Sequence, residues 1–303
     1  MSNDMKSAEA ANELTEAVQN NTAADSENAA EPSLDTDAAS LETDSALDNL
    51  LDFDDDDPLG ATTVSKKSLV IFFLIDTSAS MKGKKMGELN TVMEELIPEI
   101  RRVGEADTDV KMSVLTFSTG IEWMYPEPKS IEEFQWKRLV PSGVTSMGAA
   151  FEELAVKMSR NGYLNSPSLS FAPVIFLMTD GYPSDNYKKA LASLKNNSWF
   201  KYGLKAALGI GSEANDEMLA EFTGSADTVV HAYTGTQLAQ MIKIVAVTAS
   251  QIGSKSMTLS DTPNQELGEN DVYAAKQKML GQQLQELVRN EGGAADIPFD
   301  AGW

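Results

Sequence analysis

One stretch restricts the fold more than any other: Leu69 to Met81, LVIFFLIDTSASM, where an unbroken apolar run stops at an aspartate followed by two alternate serines. The seven residues from Leu69 to Ile75 show no period-two alternation and are rich in β-branched and aromatic side chains, as expected of a strand buried on both faces. Such a strand belongs to a parallel sheet covered by helices. Asp76, Ser78 and Ser80 fall where it ends, and in open α/β sheets that carboxyl edge is where ligands bind.

The sequence from Ser68 to about Ser254 repeats the theme, apolar strands alternating with amphipathic helices. Strands are expected at Leu69–Ile75, Val110–Phe117, Ile121–Met124, Pro173–Thr179, Leu204–Ile210 and Thr228–Ala232. Helices are expected at Lys85–Val103, Ser146–Asn161, Asn186–Asn196, Asn215–Phe222 and Thr236–Ile252, with a short one at Ile131–Lys137. This order predicts an α/β fold: a doubly wound, mostly parallel six-stranded sheet with helices on both faces. Ile121–Met124 would be its antiparallel edge, after a turn at Thr119-Gly120.

The flanks differ from this middle. Residues 1–60 hold 17 acids and a single lysine, Lys6, a net of −16 that leaves −6 of the total −22 for residues 61–303. The acidity therefore belongs mostly to a tail, and it argues against nucleic acid as a partner. Residues 1–66 have almost no aromatics and too little apolar content to offset the entropy of ordering, so a disordered acidic tail is expected there. Within it ALDNLLDFDDDD, Ala46 to Asp57, has two readings, a solvated tail or a short docking peptide. Residues 67–254 would form the globular domain, and 255–303 a polar linker, an amphipathic helix at about Asn270–Arg289 and a flexible tip. The helix carries Tyr273, Leu280, Leu284 and Leu287 at near-heptad spacing, and it would pack on the domain or on a partner.

Cysteine is absent, which removes disulfides, thiolate nucleophiles and cysteine metal sites. No run approaches the roughly 18 apolar residues of a membrane span, and the amino terminus lacks the apolar core of a signal peptide. A cytoplasmic protein is the expectation.

Three separated pieces carry the chemistry: Asp76-Thr77-Ser78-Ala79-Ser80, Ser142-Gly143-Val144-Thr145-Ser146 and Thr179-Asp180-Gly181. The first and third each follow a buried strand, and the second opens a helix. Hard divalent cations take oxygen ligands, and Mg²⁺ keeps several waters. Because hydroxyls are neutral, a metal held directly by serine and threonine retains most of its charge. Carboxylates one shell out can orient its waters. Such a site is short of anionic ligands, and an Asp or Glu from a partner would complete it.

In order and spacing these pieces resemble the metal-ion-dependent adhesion site of the von Willebrand factor type A domain, over about Ser68–Ser254. The resemblance implies that Ser78, Ser80 and Thr145 ligate Mg²⁺, or Mn²⁺, directly or nearly so, while Asp76 and Asp180 act mainly through water. It also implies sheet order 3-2-1-4-5-6, which would set the Asp76 strand beside the Asp180 strand. Ala79 stands where many members have glycine. Around VIFFLIDTSASM and PVIFLMTDG the chain also resembles the intracellular bacterial, tellurium-resistance-type branch, whose members are associated with protein kinases and phosphatases.

The function expected is a non-enzymatic, Mg²⁺-dependent protein-interaction module that recognises a partner's acidic residue and is autoinhibited by its own acidic tail. Asp54–Asp57, Asp296 and Asp300 are the tethered carboxylates that could compete for the site. Two alternatives stand beside it: a haloacid-dehalogenase-like phosphohydrolase and a scaffold with a purely structural metal. The phosphohydrolase would place an acid/base aspartate two residues after Asp76, where this chain has Ser78. Each motif also has a plainer reading, Ser78 and Ser80 as helix caps and Asp180-Gly181 as a turn. Lys82, Lys84 and Lys85 would be a solvated helix start, or an attractor for an acidic partner. The only histidine, His231, is expected to be structural, and neither a Walker motif nor a full dinucleotide fingerprint accompanies Gly209-Ile210-Gly211.

Overall fold

The computed structural model describes residues 66–102, 108–159, 161–164, 170–254, 269–290 and 299. The acidic tail with Asp54–Asp57, the linker before the last helix, and Asp296 and Asp300 lie outside the described residues.

The apolar run forms β1 (Lys67–Asp76), followed by β2 (Thr108–Phe117), β3 (Ile121–Trp123), β4 (Lys129–Ser130), β5 (Val174–Thr179), β6 (Leu204–Ile210) and β7 (Val229–Ala232). Helices α1 (Lys84–Ile100), α2 (Met147–Lys157), α3 (Tyr187–Lys195), α4 (Ser198–Tyr202), α5 (Asp216–Thr223), α6 (Gly235–Ser254) and α7 (Glu269–Asn290) intervene or follow. The strand order is β3-β2-β1-β5-β6-β7, with β4 paired separately to β2. Pairing is parallel except for β3 and β4, which run antiparallel to β2. Leaving out two-residue β4, this is the order implied by the family resemblance.

Alternate residues of β1 feed two separate cores, which is why its run shows no period. Leu69, Ile71, Phe73 and Ile75 pack with α1, α6 and α7, while Val70, Phe72 and Leu74 pack with α2, α3, α4 and α5. The strand lies centrally, between β2 and β5, so both its edges are hydrogen-bonded as well.

The expected helix at Ile131–Lys137 does not form. Its backbone finds tertiary partners instead: Arg101 Nε donates to the Ile131 carbonyl at 2.9 Å, and just beyond it Asn90 Oδ1 accepts from Leu139 N–H at 2.7 Å. With Ile131 and Phe134 anchored in the core, the segment gains burial and hydrogen bonds without a helix. Just before it lies β4, a seventh strand against the six expected. Also unforeseen was α4, a five-residue helix whose cap, Asn197, accepts from Trp199 and Phe200 N–H. The first helix runs through Pro98 and ends two residues later.

The last helix packs on the domain, with Leu280 and Leu284 in the core. Its Gln277 takes a place that a strand would otherwise fill. Pairing of β6 with β7 begins only at Ala207, and Gln277 closes the earlier gap by accepting from Lys205 N–H at 2.9 Å and donating to the Lys205 carbonyl at 2.7 Å.

Candidate metal centre

Strands β1 and β5 end side by side, Ile75 paired with Met178, so Asp76 and Thr179–Asp180 emerge at one point of the sheet's carboxyl edge. The chain leaves β1 by α1 on one face and reaches β5 by α2 on the other, which makes this the switch point where open α/β sheets bind ligands.

Four of the five candidate residues share one hydrogen-bonded cluster. Asp76 is fully buried; its Oδ1 accepts from Ser78 N–H at 2.8 Å and its Oδ2 from Thr179 Oγ1 at 2.6 Å. Ser78 Oγ lies 2.9 Å from Ser80 Oγ, which in turn donates to Asp180 Oδ1 at 2.7 Å. Lys85 Nζ donates to Asp180 Oδ2 at 2.9 Å. Burial pushes the Asp76 carboxyl up, against the opposing effect of its Thr179 and Ser78 hydrogen bonds, and the nearby Asp180 charge adds to the rise. A cation at this cluster would relieve that penalty.

Thr145 is brought in by the backbone of its loop. Ala79 N–H donates to the Gly143 carbonyl at 3.0 Å, Ser142 N–H to the Thr77 carbonyl at 2.7 Å, and Ser184 N–H, from the segment after Asp180, to the Thr145 carbonyl at 2.8 Å. The three pieces recognised in the sequence are thus laced together through main-chain bonds. No side-chain hydrogen bond joins Thr145 to the other four residues. Gly143 has φ of 78°, and a Cβ there would collide with Thr119 Oγ1, so both conformation and space favour glycine.

The plainer readings of the serines fail on geometry. Ser78 precedes only a three-residue 3₁₀ turn, Ala79–Met81, and makes no side-chain cap bond. Helix α1 starts after Gly83, at φ of 80°. The amino end of α2 is also capped from afar: Asp185 accepts from Gly148 N–H at 2.9 Å and Ala149 N–H at 3.1 Å.

Sequence reasoning missed Thr179 and Asp185 as partners, and left Lys85 between two readings. For Lys85 a signal existed. The first turn of α1 carries Lys84 and Lys85 and no acid, although the helix dipole favours acids there, so a local negative partner was implied.

The donor chemistry fits a hard cation. All five side chains offer oxygen, three as neutral hydroxyls, and oxygen ligands suit Mg²⁺ or Mn²⁺. Among the described residues no group of three or more His, Cys, Asp or Glu could hold a metal, so the cluster with its two carboxylates would depend on its hydroxyls.

Around this cluster lies an apolar collar. Five of the seven exposed large apolar side chains among the described residues, Ile121, Val140, Val144, Tyr182 and Tyr233, sit on segments at the sheet's carboxyl edge. A groove of about 460 Å³, lined in part by Thr77, Ile121, Lys137, Leu139 and Ser142, opens beside the first loop. Phe299 comes to the same edge, its N–H donating to the Tyr233 carbonyl at 2.7 Å and its ring lying 6.0 Å from Lys84 Nζ. Among the described residues no helix is long and apolar enough to cross a membrane.

A family model, the von Willebrand factor type A domain, matches residues 71–247. No curated protein matches the chain significantly. Among solved structures it is similar to a von Willebrand factor type A protein from Catenulispora acidiphila, at 16% identity over 61% of this chain and 43% of that one, TM-score 0.44. It is also similar to the ArnB paralog VWA2 from Sulfolobus acidocaldarius, at 21% identity over 59% and 45%, TM-score 0.43. A third is proximal thread matrix protein 1 from the mussel byssus with a zinc-occupied MIDAS motif, at 17% identity over 61% and 48%, TM-score 0.47. The chain spans less than half the length of each of these structures.

Proposed function

The chain belongs to the von Willebrand factor type A family, and from that premise we propose that it is a Mg²⁺-dependent protein-recognition module without catalytic activity. The observation that carries this reading is the hydroxyl-rich cluster at the carboxyl edge, set inside an apolar collar. Ser78, Ser80 and Thr145 would hold the ion, with Asp76 and Asp180 orienting its waters. When bound, the metal supplies a Lewis-acidic position for a carboxylate oxygen of the partner.

The protein's own residues do the rest. Thr179 and the Ser78 N–H fix the rotamer of Asp76 by engaging both its oxygens. Ser80 and Lys85 do the same for Asp180, so neither carboxylate is free to swing in and neutralise the ion. The apolar collar adds buried area around the acidic contact, in the pattern of an interface whose polar anchor is ringed by apolar groups. Partners on this reading are proteins offering Asp or Glu, with kinases and phosphatases the class suggested by the tellurium-resistance-type resemblance. The cysteine-free sequence is compatible with a cytoplasmic setting.

The acidic tail would compete with such a partner in cis. Removing residues 1–60 is then expected to raise partner affinity in Mg²⁺, and unchanged affinity would end the autoinhibition idea. The main reading is tested by capture from the source cell with wild type and Asp76→Ala, each in Mg²⁺ and in EDTA. Partners should be retained only by wild type in Mg²⁺; a partner set unaffected by both changes would reject metal-dependent recognition.

A further inference from the structure

We infer that Lys85 is a built-in counter-ion of the candidate metal site, holding Asp180 when the ion is absent and opposing the ion's entry. The inference rests on the metal reading above and adds a residue that limits metal affinity.

The Asp180 side chain is 0% exposed and that of Lys85 12%. A carboxylate removed from water without a compensating charge is strongly unfavourable, and Lys85 Nζ, 2.9 Å from Oδ2, supplies that charge from within the chain. The other oxygen of Asp180 is engaged by Ser80 Oγ at 2.7 Å. Both oxygens of the carboxylate are therefore occupied by protein donors. Helix α1 offers no reason of its own for the lysine, because a cation in the first turn opposes the helix dipole. The buried carboxylate does.

Two consequences follow from this placement. The protein keeps a stable site without metal, since Asp180 already has its positive partner. An arriving dication then shares one carboxylate with an ammonium and is repelled by it at short range, where screening by salt is weak. Lys85 is thus a positioning residue that makes the site reversible: the metal binds when its concentration is high enough to outcompete the lysine's hold on Asp180. In a purely structural site such a competitor would have no use.

The test is Mg²⁺ titration calorimetry and thermal melting in EDTA on the full chain, with wild type, Lys85→Met and Lys85→Met/Asp180→Asn. Lys85→Met keeps an unbranched side chain, shorter by its terminal ammonium, and removes the charge. It is expected to bind Mg²⁺ about tenfold tighter than wild type, to melt earlier in EDTA, and to gain more in melting temperature from Mg²⁺. The double variant, with a neutral amide at 180, should recover melting in EDTA while losing the gain in affinity. Wild-type affinity and wild-type melting of Lys85→Met would overturn the inference and leave the metal reading standing. Absence of Mg²⁺ binding by both wild type and Lys85→Met would overturn the metal reading, and this inference with it. Should Lys85→Met not fold in EDTA, the double variant decides: recovery of folding supports charge compensation, and failure to fold overturns it.

Discussion

At the amino end of β6, Lys205 turns its ammonium onto three backbone carbonyls, Gly203 at 2.7 Å, Phe200 at 2.9 Å and Lys201 at 3.5 Å, over the Phe200 ring. At the carboxyl end of β5, Asp180 meets a serine hydroxyl and a lysine side chain. Both groups are charges beside the same sheet, Asp180 buried and Lys205 half-buried, yet their partners differ in kind. The carbonyls around Lys205 belong to the end of α4 and the turn after it, so that ammonium helps to close a helix. The partners of Asp180 are side chains, Ser80 in the 3₁₀ turn and Lys85 in the first turn of α1, neither of them tied to the strand ladder. A charge held by main chain is tied to the fold, whereas one held by side chains can change partners.

Substitutions at the two ends should separate these roles. The largest effect is expected from Asp76→Ala, with Mg²⁺ affinity falling about 100-fold by calorimetry while the far-ultraviolet circular dichroism stays that of wild type. Next comes Gly143→Ala. With φ of 78° and Thr119 Oγ1 in the way of a Cβ, it should cost about 2 kcal/mol in urea unfolding and also weaken Mg²⁺ binding, because Gly143 ties the Thr145 loop to Ala79. Lys205→Met should cost about 1 kcal/mol by the same assay and leave Mg²⁺ affinity untouched; a change in affinity there would break the comparison between the two ends.

A last expected effect is one of pH at that same lysine. Burial lowers the Lys205 pKa from 10.5 to about 8, so between those values the unfolded chain binds the proton more readily than the folded one. Stability must then rise with pH across that window. Measured as the difference between wild type and Lys205→Met, unfolding free energy should increase from about pH 8 towards 10.5. A flat difference would mean that the carbonyls hold the ammonium charged and outweigh its burial.

Much of the fold was legible because burial on two faces leaves a plain mark: β1, β5 and β6 read as apolar runs, and α1, α3 and α6 begin within a residue of where the pattern put them. Asp76, Ser78, Ser80 and Asp180 were legible as a set because each follows a strand end in the right order. Their lacing was not, since Ala79 N–H to the Gly143 carbonyl and Asp185 to the start of α2 are bonds between residues far apart in sequence. The segment after Ile131 misled for the same reason. Its apolar residues at helical spacing are anchored singly, Ile131 and Phe134 in the core and Trp136 through Nε1 to Asn90 Oδ1 at 3.0 Å, and tertiary bonds replaced the helix that local pattern favours. Lys85 stands between these cases, its position visible and its partner, 95 residues away, hidden.

The central claim, that the carboxyl-edge cluster is a divalent-metal site, is tested most directly by soaking crystals of the protein in Mn²⁺ and recording anomalous diffraction. One peak is expected among the Ser78, Ser80 and Thr145 hydroxyl oxygens, absent from crystals of Asp76→Ala. A map without a peak there at saturating Mn²⁺, or the same peak in the Asp76→Ala crystals, would contradict it.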